Sequence, residues 1–284
     1  MFSLINTRVL LSLAMVVAAA AVIIGATFAF FSDTETSTGN VLAAGEIDLG
    51  IDNHSYYNGV LNPGTTWRVD YDLSDDLPRQ FFNFSDVKPG DWGEDTISFH
   101  VKNNDSWLCA DVTLTSDDNN DMTEPESDDG DVTPGDVNGV GEGELADAIS
   151  FYWWADDGDN VFEEDEALLP SGPMGVLNVD ETATVDLADA NDNIWSGLDD
   201  DPLTPDDVRF VGKAWCFGTA TMSAYLQDGG NQQSGPDNRP LNCDGSGVNN
   251  VAQTDSFTAD ISFRAIQSRN NTDFECSVPV VVEE

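Results

Sequence analysis

Beyond residue 44 the chain reads as short apolar or alternating runs separated by clusters of Gly, Pro, Asn and Asp. Runs at Gly45–Ile51, Thr66–Asp72, Thr96–Lys102, Leu108–Thr115, Ala148–Trp154, Thr182–Leu187, Arg209–Phe217 and Ser256–Gln267 predict strands. The last is the clearest: Phe257, Ala259, Ile261, Phe263 and Ala265 alternate with polar neighbours. Helical 3.6-residue periodicity is absent after the leader. Many short strands with turn residues between them predict an all-β chain built as a β-sandwich. The adjacent Trp153 and Trp154 fall on opposite faces of their strand. Two stretches break the rhythm, about 116–144 and 228–250. Both read as solvated loop insertions, the first strongly acidic and the second rich in Gly, Asn, Gln and Ser.

The chain opens differently. Val9–Ala29 is apolar and uncharged, preceded by the single basic residue Arg8. Its length can span a bilayer. Thr27 and Ala29 nevertheless have the small side chains and spacing that a signal peptidase requires, and the acidic stretch that follows, FFSDTETSTGN, has no Lys or Arg to stop transfer. The reading favoured is an apolar signal helix over 1–29, cut between Ala29 and Phe30, with membrane attachment only through an uncleaved leader. Residues 30–44 then form an N-terminal segment and 45–284 the sandwich domain.

Composition sharpens this picture. The chain of 284 residues has 53 Asp plus Glu against 10 Lys plus Arg, a net charge of −43. Such a surface repels phosphate backbones, which excludes nucleic acid as a partner. Scarce Lys (only Lys88, Lys102 and Lys213) with abundant Asp suits a halophilic protein kept soluble in concentrated salt. No Lys or Arg occurs from Asn103 to Val208, so that stretch needs bound cations or basic partners from elsewhere.

Cys109, Cys216, Cys243 and Cys276 are an even set without CxxC spacing, which in an exported chain suits two disulfides with three possible connectivities. A Cys216–Cys243 bond would clasp the second insertion, and a Cys109–Cys276 bond would tie two strands. Sequons at Asn53, Asn83, Asn104 and Asn270 lie in polar, turn-like contexts and are candidate glycosylation sites.

The most chemical-looking segment runs from Ala155 to Glu166. Set against the twelve-residue calcium loop, it places Asp157, Asp159, Asn160, Glu163 and Glu166 at positions 3, 5, 6, 9 and 12. Asn160 tolerates the left-handed backbone that position 6 demands. Position 1 is Ala155, so Asp156 has to shift to supply that oxygen, and no helix pattern flanks the loop. Calcium is the one cofactor the sequence suggests. The competing reading is that any long loop in so acidic a chain resembles a calcium site. Catalytic signatures are absent: there are two histidines, His54 and His100, no H-E-x-x-H and no G-x-S-x-G.

Three blocks carry a resemblance. The first is GATFAFFSDTETSTGNVLAAGEIDL, which joins the leader end to the N-terminal segment. The second is the turn Val87-Lys88-Pro89-Gly90-Asp91, then a strand and Asn103-Asn104-Asp105-Ser106. The third is the strand Phe263–Asn270. Together they resemble the TasA/camelysin family of SipW-processed, fibre-forming secreted proteins. They cover about a quarter of the chain, at both ends and in order; the region of about 116–250 shows no such match. The resemblance implies a jelly-roll-like sandwich, SipW-dependent export, an extracellular or cell-surface location and self-association into biofilm-matrix filaments. It also implies that residues 30–42 donate a strand to the next subunit, with Phe30, Phe31, Val41 and Leu42 as the apolar contacts. Some relatives carry a metalloprotease label, from whose chemistry this sequence departs. The function expected is a non-catalytic structural protein that forms or decorates filaments. The alternative is a monomeric, calcium-dependent surface binding or adhesion module.

The charge balance generates a first prediction. Screening length grows from about 3 Å at 1 M salt to about 30 Å at 0.01 M. The thermal midpoint should therefore fall steeply as salt is withdrawn. A midpoint that stays level across that range removes the high-salt reading.

Overall fold

A computed structural model describes residues 32–36, 41–42, 47–70, 79–131, 143–227 and 235–277. The leader, including its Ala29–Phe30 junction, and Phe31 lie outside these residues. All eight strands predicted from the sequence are present, several longer than their apolar runs. They are β3 (Asp48–Tyr57), β5 (Trp67–Asp70), β6 (Trp92–Lys102), β7 (Ser106–Asp118), β8 (Ile149–Asp156), β10 (Thr182–Ala188), β11 (Val208–Phe217) and β14 (Ser256–Gln267). Short strands add to these: β1 (Ser32–Thr36), β2 (Val41–Leu42), β4 (Val60–Leu61), β9 (Gly172–Pro173), β12 (Thr219–Thr221) and β13 (Asn242–Asp244).

One antiparallel sheet runs β10-β7-β14-β1-β2 and a second runs β4-β3-β6-β11-β8-β9, with β5 also on β3. A two-stranded ribbon, β12-β13, stands apart. The core lies between the two large sheets. Leu108, Ala110, Val112 and Leu114 of β7 and Ile261, Phe263 and Ala265 of β14 meet Leu49, Ile51, Ile97, Phe99, Val211 and Trp215 from the other side. Phe99 and Phe263 cross edge to face with centroids 4.8 Å apart, which stitches the layers near their centre.

β11 is buried on both faces. Val211, Lys213 and Trp215 point into the main core, while Ala214 and Cys216 join Trp154 and Leu241 in a smaller core on the outer face. Gly212 is required there, because a Cβ would meet the Trp154 indole at 1.9 Å. Trp153 and Trp154 do fall on opposite faces, one in each core. Lys213 is a charged residue wholly inside the sandwich, with Nζ 2.5 Å from Asp95 Oδ2 and both side chains fully buried.

Two expectations about the insertions need correction. Residues 116–118 continue β7, and Glu124–Asp129 form a short helix, α1. Glu126 reaches back to the Thr123 N–H at 2.5 Å, and Gly130, at φ 102°, ends the turn. A second helix, α2, spans Leu145–Ala148, and a 3₁₀ turn spans Met174–Val176. Residues 235–250 of the second insertion are not a solvated excursion either, since they contribute β13, the buried Leu241 and the guanidinium of Arg239; residues 132–142 and 228–234 of the two insertions lie outside the described residues. Cys216–Cys243 fastens β11 to β13, and Cys109–Cys276 joins β7 to the segment after β14 rather than to a strand.

Carboxylates gather at one end of the sandwich. Asp117 (end of β7), Glu144 (before α2) and Asp255 (before β14) converge, with the Glu144 N–H donating to Asp255 Oδ2 at 2.6 Å. Burial, with Asp147, Asp255 and Asp118 nearby, pushes Asp117 up to about 6. Burial and a bond to Asp255, with Asp131 close, push Glu144 up to about 7. Asp255 is raised by burial, with Glu126 and Asp131 adding to it. These folded-state values lie above the unfolded ones, so the folded chain holds protons the unfolded chain has released, and stability is lost as pH rises through them. In about 2 M salt, where net charge is screened, the denaturation midpoint should rise as pH falls from about 8 to about 5. Asp117→Asn should flatten that slope; an unchanged slope removes this assignment.

Candidate functional site

The loop after β8 folds back over the smaller core, and its six sequence-predicted residues divide into two groups. Asp156 is buried and engaged on both oxygens. Its Oδ1 accepts the Trp154 indole N–H at 3.0 Å, and its Oδ2 accepts the N–H of Gly158 at 3.0 Å and of Asn160 at 3.3 Å. It anchors the turn in this arrangement, apart from the gathered carboxylates of Asp157, Glu163 and Glu166. Burial pushes it up to about 7, against the hydrogen bonds from Trp154 and Asn160. Asp159 accepts the Val161 N–H at 3.0 Å and is also hydrogen-bonded to Arg239. Asn160 has the left-handed backbone expected of position 6, φ 65°.

The structure brings together positions 3, 9 and 12. Carboxylate oxygens of Asp157, Glu163 and Glu166 lie within 4.8 Å of one another. Glu166 orients the group by accepting the N–H of Asp157 at 2.8 Å on one oxygen and of Glu163 at 2.8 Å on the other. Burial, then the charge of Asp156, pushes Glu166 up to about 9. Three carboxylates so placed could offer oxygen ligands to a hard cation.

The residue that sequence reasoning missed is Arg239. Its guanidinium enters from the second insertion, over the Tyr225 ring at 5.8 Å, and pairs with Asp159 and Glu163 through separate nitrogens. Both carboxylates are fully buried. The signal was the stretch without Lys or Arg, which required a basic partner from elsewhere in the chain; nothing in the sequence said which one. Cys216–Cys243 positions it by holding β13 beside β11. A further group, Asp186, Asp189 and Cys276, lies equally close together, but its sulfur is spent in a disulfide.

The histidines do not converge. On the β3–β6 ladder His54 stands opposite Thr96 and His100 opposite Gly50. Four positions separate them, about 13 Å along a strand. His100 Nε2 lies 3.0 Å from Asp52 Oδ2. Of the sequons, Asn83 and Asn270 are exposed and Asn104 is half-buried. Asn53 corrects the expectation of accessibility: it lies inside β3, 1% exposed, and its amide donates to the Thr65 carbonyl at 2.7 Å.

The second feature is the N-terminal segment. β1 pairs antiparallel with β14, Ser32 opposite Ile266 through Thr36 opposite Ser262, and Val41–Leu42 fold back onto β1. The segment expected to act as a donor thus occupies a sheet edge of its own chain, with Phe30 and Phe31 outside the described residues.

Comparison with known proteins gives a family match. Residues 5–135, somewhat under half of the chain, match the family described as camelysin metallo-endopeptidase, in agreement with the resemblance carried by the leader and the Lys88-Pro89-Gly90-Asp91 turn. No curated protein matches the chain.

The Arg239 bridge yields a prediction. Arg239→Ala leaves two buried carboxylates without their counter-charge and should cost about 3–5 kcal/mol in chemical denaturation. Arg239→Lys keeps the charge but not the two-pronged reach, and should recover only part of that loss. An Arg239→Ala chain as stable as the parent means the bridge is dispensable.

Proposed function

We propose, proceeding from the camelysin-family match over residues 5–135, that this chain is an exported β-sandwich that forms or decorates extracellular filaments. The observation that carries the reading is the edge strand. β1 satisfies the open side of β14 over Ser262–Ile266, and it lies at the very start of the expected mature chain. An extended segment that completes a sheet within one molecule can complete the same sheet in a neighbour, since the main-chain hydrogen bonds are identical in both arrangements. Repeating that exchange head to tail propagates a filament where the rotation between subunits does not close into a ring. A net charge of −43 opposes close approach of subunits, so exchange belongs to high salt or to divalent cations.

The family's description includes a peptidase, and we read this chain as non-catalytic. Two histidines four ladder positions apart on neighbouring strands do not supply a zinc site, and the sequence has no H-E-x-x-H.

A second reading has its own support. The Asp157, Glu163 and Glu166 oxygens favour a monomeric surface module whose loop is ordered by calcium.

The two readings part in one experiment. Protein beginning at Phe30 is placed in high salt, with and without calcium, and followed by electron microscopy and light scattering. Filaments are expected, and deletion of residues 30–42 should leave a folded monomer by circular dichroism. Filaments from the deleted chain would move the donor strand elsewhere. Monomers under every condition, with calcium raising the melting temperature, would replace the filament by the binding module.

A further inference from the structure

Lys213 and Asp95 are direct cross-strand partners on β11 and β6, and both side chains are fully buried. Their closest approach, Nζ to Oδ2, is 2.5 Å, yet neither atom makes a hydrogen bond of acceptable geometry. The amine is pressed against the carboxyl group without the alignment of an ordinary N–H···O contact. The rings of Phe82 and Phe151 each lie 5.8 Å from Nζ and wall the pair with apolar surface. The other carboxyl oxygen has a different environment. Ser55 Oγ donates to Asp95 Oδ1 at 3.3 Å, Thr65 Oγ1 donates to Ser55 Oγ at 2.9 Å, and Asn62 Nδ2 donates to Thr65 Oγ1 at 3.0 Å. One oxygen thus faces a nucleophile and the other faces the end of a hydroxyl relay.

We propose that Lys213 and Asp95 become joined by an intramolecular amide bond, Nζ to Cγ, once the sandwich has closed around them. Within the pair a proton passes from the ammonium to Oδ2, leaving an amine and a carboxylic acid, the forms that a dry interior favours. Burial raises Asp95 against the opposing pull of Lys213, in keeping with this transfer. The Nζ lone pair then attacks Cγ. Negative charge collects on Oδ1, where the Ser55 hydroxyl meets it. The Cγ–Oδ2 bond breaks, and Oδ2 leaves as water, carrying the proton it already holds and one released by Nζ. Amine plus acid becomes amide plus water, and no oxidant, nucleotide or metal is consumed. Holding both groups in contact replaces an encounter in solution by a single pre-oriented step. The ion-pair alternative offers the fold little, because a buried pair is often no more stabilising than apolar residues of the same size. The cross-link would fasten β6 to β11, two central strands of the larger sheet, whether or not the chain forms filaments.

Intact-mass spectrometry of the folded, secreted full chain tests this, after enzymatic removal of any glycan and reduction under denaturing conditions. The chain should be lighter than its reduced sequence by the mass of one water. Proteolysis should release a branched peptide that joins the segment around Asp95 to the segment around Lys213. Lys213→Arg keeps the charge but should show the full mass and no branched peptide. Asp95→Asn should expel ammonia in place of water and arrive at the wild-type mass. Ser55→Ala should slow the appearance of the branched peptide after refolding by roughly a hundredfold, the effect of removing one oxyanion donor. The wild-type readout does not depend on any variant folding. Folded wild-type chain at full mass, with no branched peptide, overturns the proposal and leaves the pair as an ion pair.

Discussion

Positive charge is the scarce component of this fold. Fifty-three acidic side chains share ten basic ones; two of those stand beside fully buried carboxylates and a third beside a half-buried one. Lys213 meets Asp95 inside the sandwich, Arg239 spans Asp159 and Glu163 beneath the smaller core, and Arg264 holds Asp111 on the outer side of β14 at 3.0 Å. Elsewhere backbone N–H groups take over. Asp156 is held by the N–H groups of Gly158 and Asn160, and Asp189 by those of Asn191 and Cys276. Such N–H groups offset burial only in part: Asp156 is still pushed up to about 7, and Glu166, which accepts two of them, to about 9.

How much of this the sequence disclosed depended on range. Alternation is a local property, so β14 was legible from Phe257, Ala259, Ile261, Phe263 and Ala265 alone. β11 was found too, though its burial on both faces left only a continuous run. The helix at Glu124–Asp129 escaped a search for apolar periodicity because it has none. Its signal was the Thr123/Glu126 capping pair and the closing Gly130, which hydrophobic patterning does not register. Arg239 was beyond reach for a different reason: 76 residues separate it from Glu163, and only the closed β12–β13 ribbon brings them together. Asn53 shows the reverse error. Its neighbours look like a turn, but β3 runs on through Tyr57 and carries the amide inside.

The two candidate functional features differ in the kind of order they require. The Asp157, Glu163 and Glu166 group is tied together by hydrogen bonds from its own loop backbone to Glu166, with one distant pair, Arg239 to Glu163. The edge formed by β1 depends on pairing between residues more than two hundred positions apart, Ser32 with Ile266. A long connection of that kind adds only slowly to the entropic cost of closure, so separation along the chain is little obstacle to this pairing.

The double-sided burial of β11 also decides how errors in folding are detected. A slip of one residue along this strand would exchange Val211, Lys213 and Trp215 with Gly212, Ala214 and Cys216. The lysine would then be thrust away from Asp95, the indole would be forced onto the space that Trp154 requires, and Cys216 would turn its sulfur away from Cys243. Charge, volume and covalent partner would all fail together. The strand thus acts as a combination lock with a single opening position, in which a misregistered chain satisfies none of the three conditions.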